Sequence, residues 1–375
     1  MADRTSLEMR SLISKNGELR VWLGQAVVAS PEADEVVVRV EAAPINPADL
    51  LVLFGPADLK TLRRSDVDGL PGIVAQVPRE RMQAVAARLD MPLPVGNEGA
   101  GIVIDAGRDA QHLLGQTVAL RDSMYSQFRL AKASDLFVMP KGTAPAAAAS
   151  ACINPMTALG MVETMRREGH TALVHTAAAS NVGQMLARIC AADGIPLVNI
   201  VRNKRDVDLL RSLGSQFVLD SSSDDFEESL REVIFQTGAT LAFDAIGGGT
   251  MAARLLAAME HAASRRATGY SRYGSSIHKQ VYIYGVLDPS PKVIEGNIGS
   301  AWGVGGWLLT WFQQRIGEAE LLRLRQRVAA ELSTTFSSVY GARYSLAQAL
   351  SPETIANYAR PATGHKVLLT PFSEG

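Results

Sequence analysis

The sequence predicts an α/β protein that combines a β-rich part with a doubly wound parallel sheet. In the first part, Val36, Val38 and Val40 alternate with Val37, Arg39 and Glu41, a pattern typical of a half-buried strand. Further along, helical and strand-like segments alternate, which predicts a parallel sheet covered by helices on both faces. The segment 365–369 is predicted to form a last strand that returns to the first part. We therefore expect one domain of 1–149 plus 318–375 and a second of 150–317.

Composition narrows the classes of function. The net charge of −1 gives no general attraction to nucleic acid or anionic membranes, and no run of about 20 apolar residues could span a bilayer. The two cysteines, Cys152 and Cys190, cannot form a disulfide framework, and the polar N-terminus lacks an apolar signal core. These features predict a cytoplasmic protein with neither nucleic acid nor membrane as a partner.

The β-rich part is divided by prolines. Pro44 and Pro47 are expected to exclude regular structure from 43–49, and an amphipathic helix is expected after Pro78. Further short strands are predicted at 95–107, 117–120 and 125–131.

The second part contains repeated strand and helix signals. Its predicted strands lie at 173–174, 197–201, 217–219, 241–243 and 281–284. Its predicted helices begin near Val182, Val207 and Phe226, and a further helix ends near Met259.

The turn from Ala177 to Gly183 connects a strand to a helix in a βαβ unit. Aligned on the pattern G-x-G-x-x-G, its glycine positions are Ala178, Ser180 and Gly183, so only the last is a glycine. Small side chains still allow a diphosphate to approach the helix N-terminus. The alternative is an ordinary crossover that binds no ligand.

A basic turn follows the next strand. Where a unit that prefers NAD usually has a carboxylate, this chain has Arg202, Asn203, Lys204 and Arg205. Cations suit a 2′-phosphate, which favours NADPH. The alternative is a solvated basic turn.

Several motifs resemble the zinc-free branch of the medium-chain dehydrogenase/reductase superfamily. Gly96-Asn97-Glu98 begins a segment similar to G-H-E-x-x-G-x5-G, with Asn97 in the position of a zinc-binding histidine. The segment 46–49, N-P-A-D, is similar to N-P-x-D and has Asn46 where zinc enzymes have cysteine. A catalytic zinc needs three protein ligands, and two of the usual positions are changed, so we expect no metal.

Other motifs resemble quinone oxidoreductases and 2-enoyl-thioester reductases. They are N-P-M-T-A at 154–158, F-D-A-I-G-G at 243–248, Tyr284-Gly285, G-W-L-L-T-W at 306–311 and T-G-H-K at 363–366. The resemblance implies a GroES-like catalytic domain, a Rossmann cofactor domain and a homodimer.

The resemblance also implies residue roles around NADPH. Asn46 and Thr157 would lie near the nicotinamide ribose. The implied diphosphate residues are Ala179, Ser180, Asn181, Val182 and Gly183; the adenosine side has Arg202, Lys204, Arg205 and Ser221; the nicotinamide side has Gly247, Tyr284 and Gly285, with Lys366 reaching across. In the alternatives, Asn46 only caps a turn and Lys366 is solvated.

The implied chemistry is hydride transfer to a carbon conjugated with a carbonyl group. An enoyl-thioester reductase also uses a tyrosine as proton donor, but the matching position is Ala57. Tyr125 is the next candidate, and the alternative is a core tyrosine.

Two segments are longer than in the branch. The segment 58–92 is a candidate lid, and 260–279 is a candidate contact for an anionic substrate through Arg265, Arg266, Arg272, Tyr270 and Tyr273. A solvated loop or a subunit contact is the alternative for both.

We therefore predict a zinc-independent, NADPH-dependent oxidoreductase that reduces a quinone or an activated alkene of the enone type. One alternative is a 2-enoyl-CoA or acyl-carrier-protein reductase. Another is a non-catalytic NADPH-binding regulatory protein.

Overall fold

The computed structural model describes residues 4–359 and 366–373, and the chain divides into two compact units. The first unit comprises Met1–Ile153 and Val328–Gly375, and the second comprises Asn154–Arg327. The predicted boundaries fall after residues 149 and 317, whereas these divisions fall after Ile153 and Arg327.

The strands of the described residues are numbered in chain order. They are β1 (Arg4–Ile13), β2 (Glu18–Val28), β3 (Glu35–Pro44), β4 (Asp58–Val67), β5 (Leu70–Gln76), β6 (Leu93–Pro94), β7 (Glu98–Ala106), β8 (Thr117–Arg121), β9 (Phe128–Lys132), β10 (Phe137–Val138), β11 (Leu173–Thr176), β12 (Leu197–Val201), β13 (Phe217–Asp220), β14 (Leu241–Asp244), β15 (Lys279–Ile283), β16 (Trp302–Gly306), β17 (Ala342–Tyr344) and β18 (Val367–Leu369).

The α-helices of the described residues are numbered in the same way. They are α1 (Pro47–Leu53), α2 (Pro145–Ala148), α3 (Asn154–Arg167), α4 (Asn181–Asp193), α5 (Lys204–Ser212), α6 (Phe226–Thr237), α7 (Met251–Arg266), α8 (Leu309–Ile316), α9 (Glu318–Ala330) and α10 (Pro352–Tyr358). None of the described helices is long and apolar enough to cross a membrane.

The first unit is built on two sheets. One has the strand order β4-β5-β2-β1-β6, and the other has the order β10-β8-β7-β3-β18-β17, with β9 also paired to β3. Val36, Val38 and Val40 of β3 are fully buried, because they pack in the core between strands. Val37 is also buried, so the predicted alternation fails at that position. The antiparallel pairing of β18 with β3 confirms that the chain returns to this unit. His365, the first residue of the predicted last strand, and the motif residues 363–364 lie outside the described residues.

The prolines do not exclude regular structure, so that prediction was wrong. β3 extends to Pro44, and α1 begins at Pro47. A proline is tolerated at the first helical position because the N–H that it lacks has no partner within the helix. This helix start fixes Asn46 and Asp49 in one turn.

The segment 58–92 is mostly a hairpin, which the sequence did not predict. β4 pairs with β5, and β5 pairs with β2. The helix expected after Pro78 is a 3₁₀-helix, Arg79–Arg88. Because the hairpin completes a sheet, these pairings favour a structural role for this segment over the predicted lid.

The second unit has a parallel sheet of strand order β13-β12-β11-β14-β15-β16. The chain proceeds outward from β11 to β13 on one side and from β14 to β16 on the other. The sheet therefore has a topological switch point between β11 and β14, and ligands of such sheets bind outside the carboxyl ends of the strands there.

Helices cover both faces of this sheet. α6 and α7 pack together against Val174, Val198 and Ile200, while α3 and α4 contact each other on the opposite face. α4 is capped by Gly194, which has a left-handed φ of 67°. α7 continues to Arg266, seven residues beyond the predicted end, because its apolar face extends through Ala262 and Ala263.

Candidate active site

The Ala177–Gly183 turn follows β11 at the switch point. Ala177 adopts a left-handed φ of 50°, and Ser180 caps α4 by accepting a hydrogen bond from the Gly183 amide at 3.2 Å. A Cβ on Gly183 would lie 2.1 Å from the carbonyl oxygen of Ala178, so this position requires glycine. The turn therefore folds tightly around its one glycine without the other two of the fingerprint.

The predicted diphosphate residues lie at the N-terminus of α4. Ala179 and Gly183 are buried, whereas Ser180, Asn181 and Val182 are partly exposed. The first amides of a helix have no partner within it and carry partial positive charge. This end of α4 can therefore hold an anionic group such as a diphosphate.

The basic turn after β12 presents three exposed cations. Asn203 caps α5 by accepting a hydrogen bond from the Asp206 amide at 2.9 Å. Arg202 therefore lies before the cap, whereas Lys204 and Arg205 begin the helix. Within 4–359 and 366–373, these three cations have no ion pair with a protein carboxylate. Ser221 lies beside them, since its amide donates to the Val201 carbonyl at 2.8 Å. The turn can therefore bind a further anion.

Two glycines allow the ends of β14 and β15 to approach closely. A Cβ on Gly247 would lie 2.5 Å from the Gly285 carbonyl oxygen, and a Cβ on Gly285 would lie 2.5 Å from that of Ala245. Asp244 organises this edge: it accepts from the Thr176 hydroxyl at 2.6 Å and from the Gly247 amide at 3.1 Å. The Asp244 contacts link the end of β11 to the glycine turn across the switch point.

Tyr284 is positioned by a buried histidine. The Tyr284 hydroxyl lies 2.7 Å from Nε2 of His175, and the two rings stack with centroids 5.7 Å apart. His175 is fully buried, and burial lowers its pKa to about 3, so it is neutral at physiological pH. Its Nδ1 has no hydrogen-bond partner among the described residues. Thr157, which was predicted to lie near the nicotinamide ribose, is in the first turn of α3 and is 7% exposed.

Glu98 is the centre of a buried polar cluster in the first unit. Its Oε1 accepts from Nδ2 of Asn46 at 3.0 Å. Its Oε2 accepts from the backbone amides of Cys152 at 3.0 Å and Ile153 at 2.9 Å. Glu98 is 0% exposed, and burial raises its pKa against the opposing effect of the Lys366 ammonium. This carboxylate thus fixes the Asn46 side chain and the chain before α3.

Asp49 is the second acid of this cluster. It accepts from the Asn46 amide at 2.8 Å and from the Asn97 amide at 2.7 Å. Burial is the largest influence on Asp49 and, despite these hydrogen bonds, raises its pKa to about 6. The two motif segments, 46–49 and 96–98, are therefore held together by these two acids.

Lys366 is hydrogen-bonded rather than solvated. Its Nζ donates to Oγ of Ser150 at 2.6 Å, and the same Oγ lies 2.9 Å from the hydroxyl of Tyr340. Burial lowers the pKa of Lys366, while Glu98 and Asp49 act in the opposite direction. The structure thus connects Asn46 and Lys366, two predicted cofactor residues, through one polar cluster.

Tyr125 lies in the core of the first unit. It is 1% exposed, and its hydroxyl donates to the Pro44 carbonyl at 3.1 Å. A Cβ on Gly96 would lie 2.5 Å from the Tyr125 amide, so this segment packs tightly against the glycine of the motif. Burial also raises the pKa of Tyr125. These observations favour a core role over the predicted role as proton donor.

The described residues contain no group of three or more histidine, cysteine, aspartate or glutamate side chains that could hold a metal ion. The Asn97 position contributes its backbone amide to Asp49, and Cys152 contributes its amide to Glu98. At these motif positions the observed contacts are therefore hydrogen bonds to carboxylates.

The segment 260–279 is anchored by a buried ion pair. Lys279 and Glu260 are both buried, and Nζ lies 2.5 Å from Oε2. Burial alone would raise the pKa of Glu260, but Lys279 and Ser275 outweigh it and the net shift is downward.

The residues of this segment that were predicted to bind an anion fall into two groups, one in contact with α6 and one exposed. Arg265 pairs with Glu232 at 2.9 Å and Arg266 donates to the Phe235 carbonyl, so both contact α6. Tyr270 and Tyr273 are exposed, as is Arg272. The contacts of Arg265 and Arg266 therefore favour a structural role over substrate binding for these two residues.

Sequence reasoning missed five polar residues of these sites. They are His175, Asp244, Ser150, Tyr340 and Asp49. Asp49 was quoted as part of a motif, but its carboxylate was given no role. Asp49 and Asp244 lie inside quoted motifs, which was a usable signal. Ser150 and Tyr340 are 190 residues apart and belong to no motif.

Comparisons with known proteins find similarity to reductases. No protein-family model matches the chain. A stretch of 248 residues is 30% identical to the mitochondrial enoyl-acyl-carrier-protein reductase of Xenopus tropicalis and covers 61% of this chain and 59% of that protein. The chain thus spans less than two thirds of the length of this relative.

Solved structures match over nearly the whole chain. An NADPH:quinone reductase from Mesorhizobium loti matches with a TM-score of 0.72 and 21% identity, covering 99% of this chain and 100% of that one. The Etr1p complex with NADP and crotonyl-CoA matches with a TM-score of 0.69 and 17% identity, covering 98% and 100%. The chain has the fold of these reductases. The predicted fold class, with GroES-like and Rossmann domains, is thereby confirmed.

Proposed function

We propose that the chain is a zinc-independent, NADPH-dependent oxidoreductase that reduces a quinone or an activated alkene. One observation carries the proposal: the carboxyl edge of the second unit's sheet combines the N-terminus of α4 with the unpaired cations of the basic turn. A diphosphate at the helix and a 2′-phosphate at the cations would satisfy both. The names of the matched reductases support the same conclusion.

When bound, NADPH supplies a hydride, and the protein positions it and excludes competing reactions. The residues proposed to hold it are those named from the sequence: the Ala177–Gly183 turn, the basic turn with Ser221, the Gly247 and Gly285 pair with Tyr284, and Thr157, Asn46 and Lys366. The close approach of Gly247 and Gly285 supports this, because it leaves backbone rather than side chains at the strand ends.

Replacement of the basic turn tests the cofactor. Arg202→Ala with Lys204→Ala should weaken NADPH binding by about 10- to 100-fold and leave NADH nearly unchanged, because only NADPH has the 2′-phosphate. Fluorescence titration gives both dissociation constants. Arg211→Ala, which removes an exposed cation from the far end of α5, is the matched control. Equal losses for NADPH and NADH would refute the assignment.

A substrate panel separates the two enzyme proposals. The second candidate is a 2-enoyl-CoA or acyl-carrier-protein reductase, favoured by the 30% identity to a mitochondrial enoyl reductase and opposed by Ala57. Oxidation of NADPH with quinones and enones supports the first candidate, and oxidation only with enoyl-CoA supports the second. Binding of NADPH without turnover on any acceptor would support the non-catalytic alternative.

The contacts at the motif positions support the proposed zinc independence. Asn46 and Glu98 bind each other, and Asn97 contributes an amide. We expect full activity after dialysis against a chelator. Activity that is lost on chelation and restored by zinc would contradict this proposal.

We also propose a homodimer in the cytoplasm. β16 is an edge strand of the second unit's sheet, and Trp302, Leu308 and Trp311 beside it are 38%, 63% and 48% exposed. Trp302→Arg should reduce the mass measured by light scattering to that of a monomer, whereas Tyr270→Arg should not. The two buried free thiols fit a reducing compartment, which cell fractionation tests.

A further inference from the structure

Reduction of an alkene requires a proton as well as a hydride, and the positions considered from the sequence do not provide its donor. Ala57 has no ionisable group. Tyr125 is 1% exposed and donates its hydroxyl to the Pro44 carbonyl. A proton donor must reach the substrate within hydrogen-bond distance, so we looked for another ionisable group.

Tyr340 is an ionisable group that ends a hydrogen-bonded chain. It is half-buried, and its hydroxyl lies 2.9 Å from Oγ of Ser150, which is 2% exposed. Lys366 donates to the same Oγ at 2.6 Å. The three groups form a hydrogen-bonded chain from an ammonium to a phenol.

One end of the chain has a fixed donor. An ammonium group has no lone pair, so Ser150 must accept from Lys366. Either hydroxyl can donate in the contact between Ser150 and Tyr340, and Tyr340 also has a hydrogen bond with Ser338. When Ser150 donates to Tyr340, a proton can pass from Lys366 through Ser150 to the phenol.

Charged groups around the chain favour the same protonation states. Burial raises the pKa of Tyr340, and Glu98 adds to this, while Ser150, Ser338 and Arg343 oppose it. Burial lowers the pKa of Lys366, and Glu98 and Asp49 oppose this. The phenol therefore holds its proton at neutral pH, and Lys366 releases its proton more readily than a solvated lysine does.

We propose that Tyr340 is the catalytic proton donor and that Lys366, acting through Ser150, restores its proton. The proposal rests on the reductase function proposed above. Hydride arrives at the β-carbon of a conjugated alkene, and the O–H bond of Tyr340 breaks as a C–H bond forms at the α-carbon.

The proton then returns along the chain. The Tyr340 phenolate takes the hydroxyl proton of Ser150, Ser150 takes a proton from Lys366, and neutral Lys366 takes one from water. One alkene, one hydride and one solvent proton give one saturated product, so the step is balanced.

This role discriminates between two classes of acceptor. Protonation of an enolate carbon is slow without a positioned acid, whereas water readily protonates the oxygen of a reduced quinone. General acid catalysis contributes about 10²- to 10⁴-fold. Tyr340→Phe should therefore lower kcat for an enone about 100-fold or more and lower kcat for a quinone less than about tenfold.

Three further measurements test the proton relay. Tyr340→Phe should leave the NADPH dissociation constant unchanged. Ser150→Ala should lower kcat for the enone about tenfold and move the alkaline limb of its pH profile. In cofactor-free protein, carbon-13 NMR of labelled lysine should show that Ser150→Ala lowers the pKa of Lys366 further, because the ammonium loses its acceptor.

The control is Tyr344→Phe, which removes the hydroxyl of a nearby half-buried tyrosine and should change none of these values. Enone turnover by Tyr340→Phe within about twofold of the unmodified protein, or equal losses for enone and quinone, would overturn the proposal. So would an unchanged Lys366 titration in Ser150→Ala. If the unmodified protein reduces no acceptor, the reductase function itself fails, and the NMR titration still decides whether the hydrogen-bonded chain exists.

Discussion

The Ala177–Gly183 turn and the buried polar cluster of Asn46, Asp49 and Glu98 are built in opposite ways. The turn is made by neighbours in sequence and offers mostly backbone to a ligand. The cluster joins side chains up to 52 residues apart, and all its principal bonds involve carboxylates. The first arrangement depends on the absence of side chains, and the second depends on particular ones.

This difference predicts different failures under substitution. A tight backbone turn fails when an atom is added, because the neighbouring backbone cannot move away. A buried carboxylate that accepts several donors fails when one acceptor is removed, because desolvated donors then lack partners. The following predictions test that contrast.

The largest effect is expected for Glu98→Gln. The glutamine amide keeps one acceptor oxygen but replaces the other with an NH₂ group. That group would face another donor, either Nδ2 of Asn46 or the backbone amides of Cys152 and Ile153. We expect a loss of about 3–5 kcal/mol in the free energy of unfolding, measured by urea denaturation. Glu80→Gln, at an exposed position, is the control and should change stability by less than about 0.5 kcal/mol. A similar small change in Glu98→Gln would show that the cluster is not built on this acid.

A smaller loss is expected for Gly183→Ala. The added Cβ would lie 2.1 Å from the Ala178 oxygen, so the turn must shift, at a cost of about 2–3 kcal/mol. NADPH affinity should fall together with the thermal midpoint. Gly306→Ala adds the same methyl group where no atom lies within 4 Å and should be nearly neutral. If Gly183→Ala were as stable as this control, the tight turn would not exist in solution.

The third effect depends on pH. The unfolded chain protonates His175 near pH 6.5, but the folded chain does so only near pH 3, so folding is opposed as pH falls between these values. From about pH 7 to about pH 5, His175 should account for a loss of about 2 kcal/mol. Urea denaturation of His175→Gln should therefore depend less steeply on pH than that of the unmodified protein. Parallel pH profiles would contradict the neutral buried histidine.

Local patterns predicted most of the second unit. The helix predicted to begin near Val182 is α4, and the strand predicted at 197–201 is β12, because both depend on neighbours in sequence. The β4–β5 hairpin was missed because the charged sequence of β4 does not alternate clearly, and its pairing is decided by β2.

The sites show the same limit. The turn and the basic residues were named from the sequence because they are contiguous. Ser150 and Tyr340 were missed because only tertiary folding brings them within 2.9 Å. Tyr125 was chosen for its residue type, and the sequence does not reveal that its hydroxyl is directed at the Pro44 carbonyl.

The most direct test of the proposed function is a single-turnover experiment with NADPH and an enone or a quinone. Protein in excess of NADPH is mixed with the acceptor, and the loss of the reduced-nicotinamide signal is followed together with formation of product. The account predicts one product per NADPH oxidised and a much slower reaction with NADH at low concentration, where binding limits the rate. Tight binding of NADPH without oxidation by any quinone, enone or enoyl-CoA would contradict it.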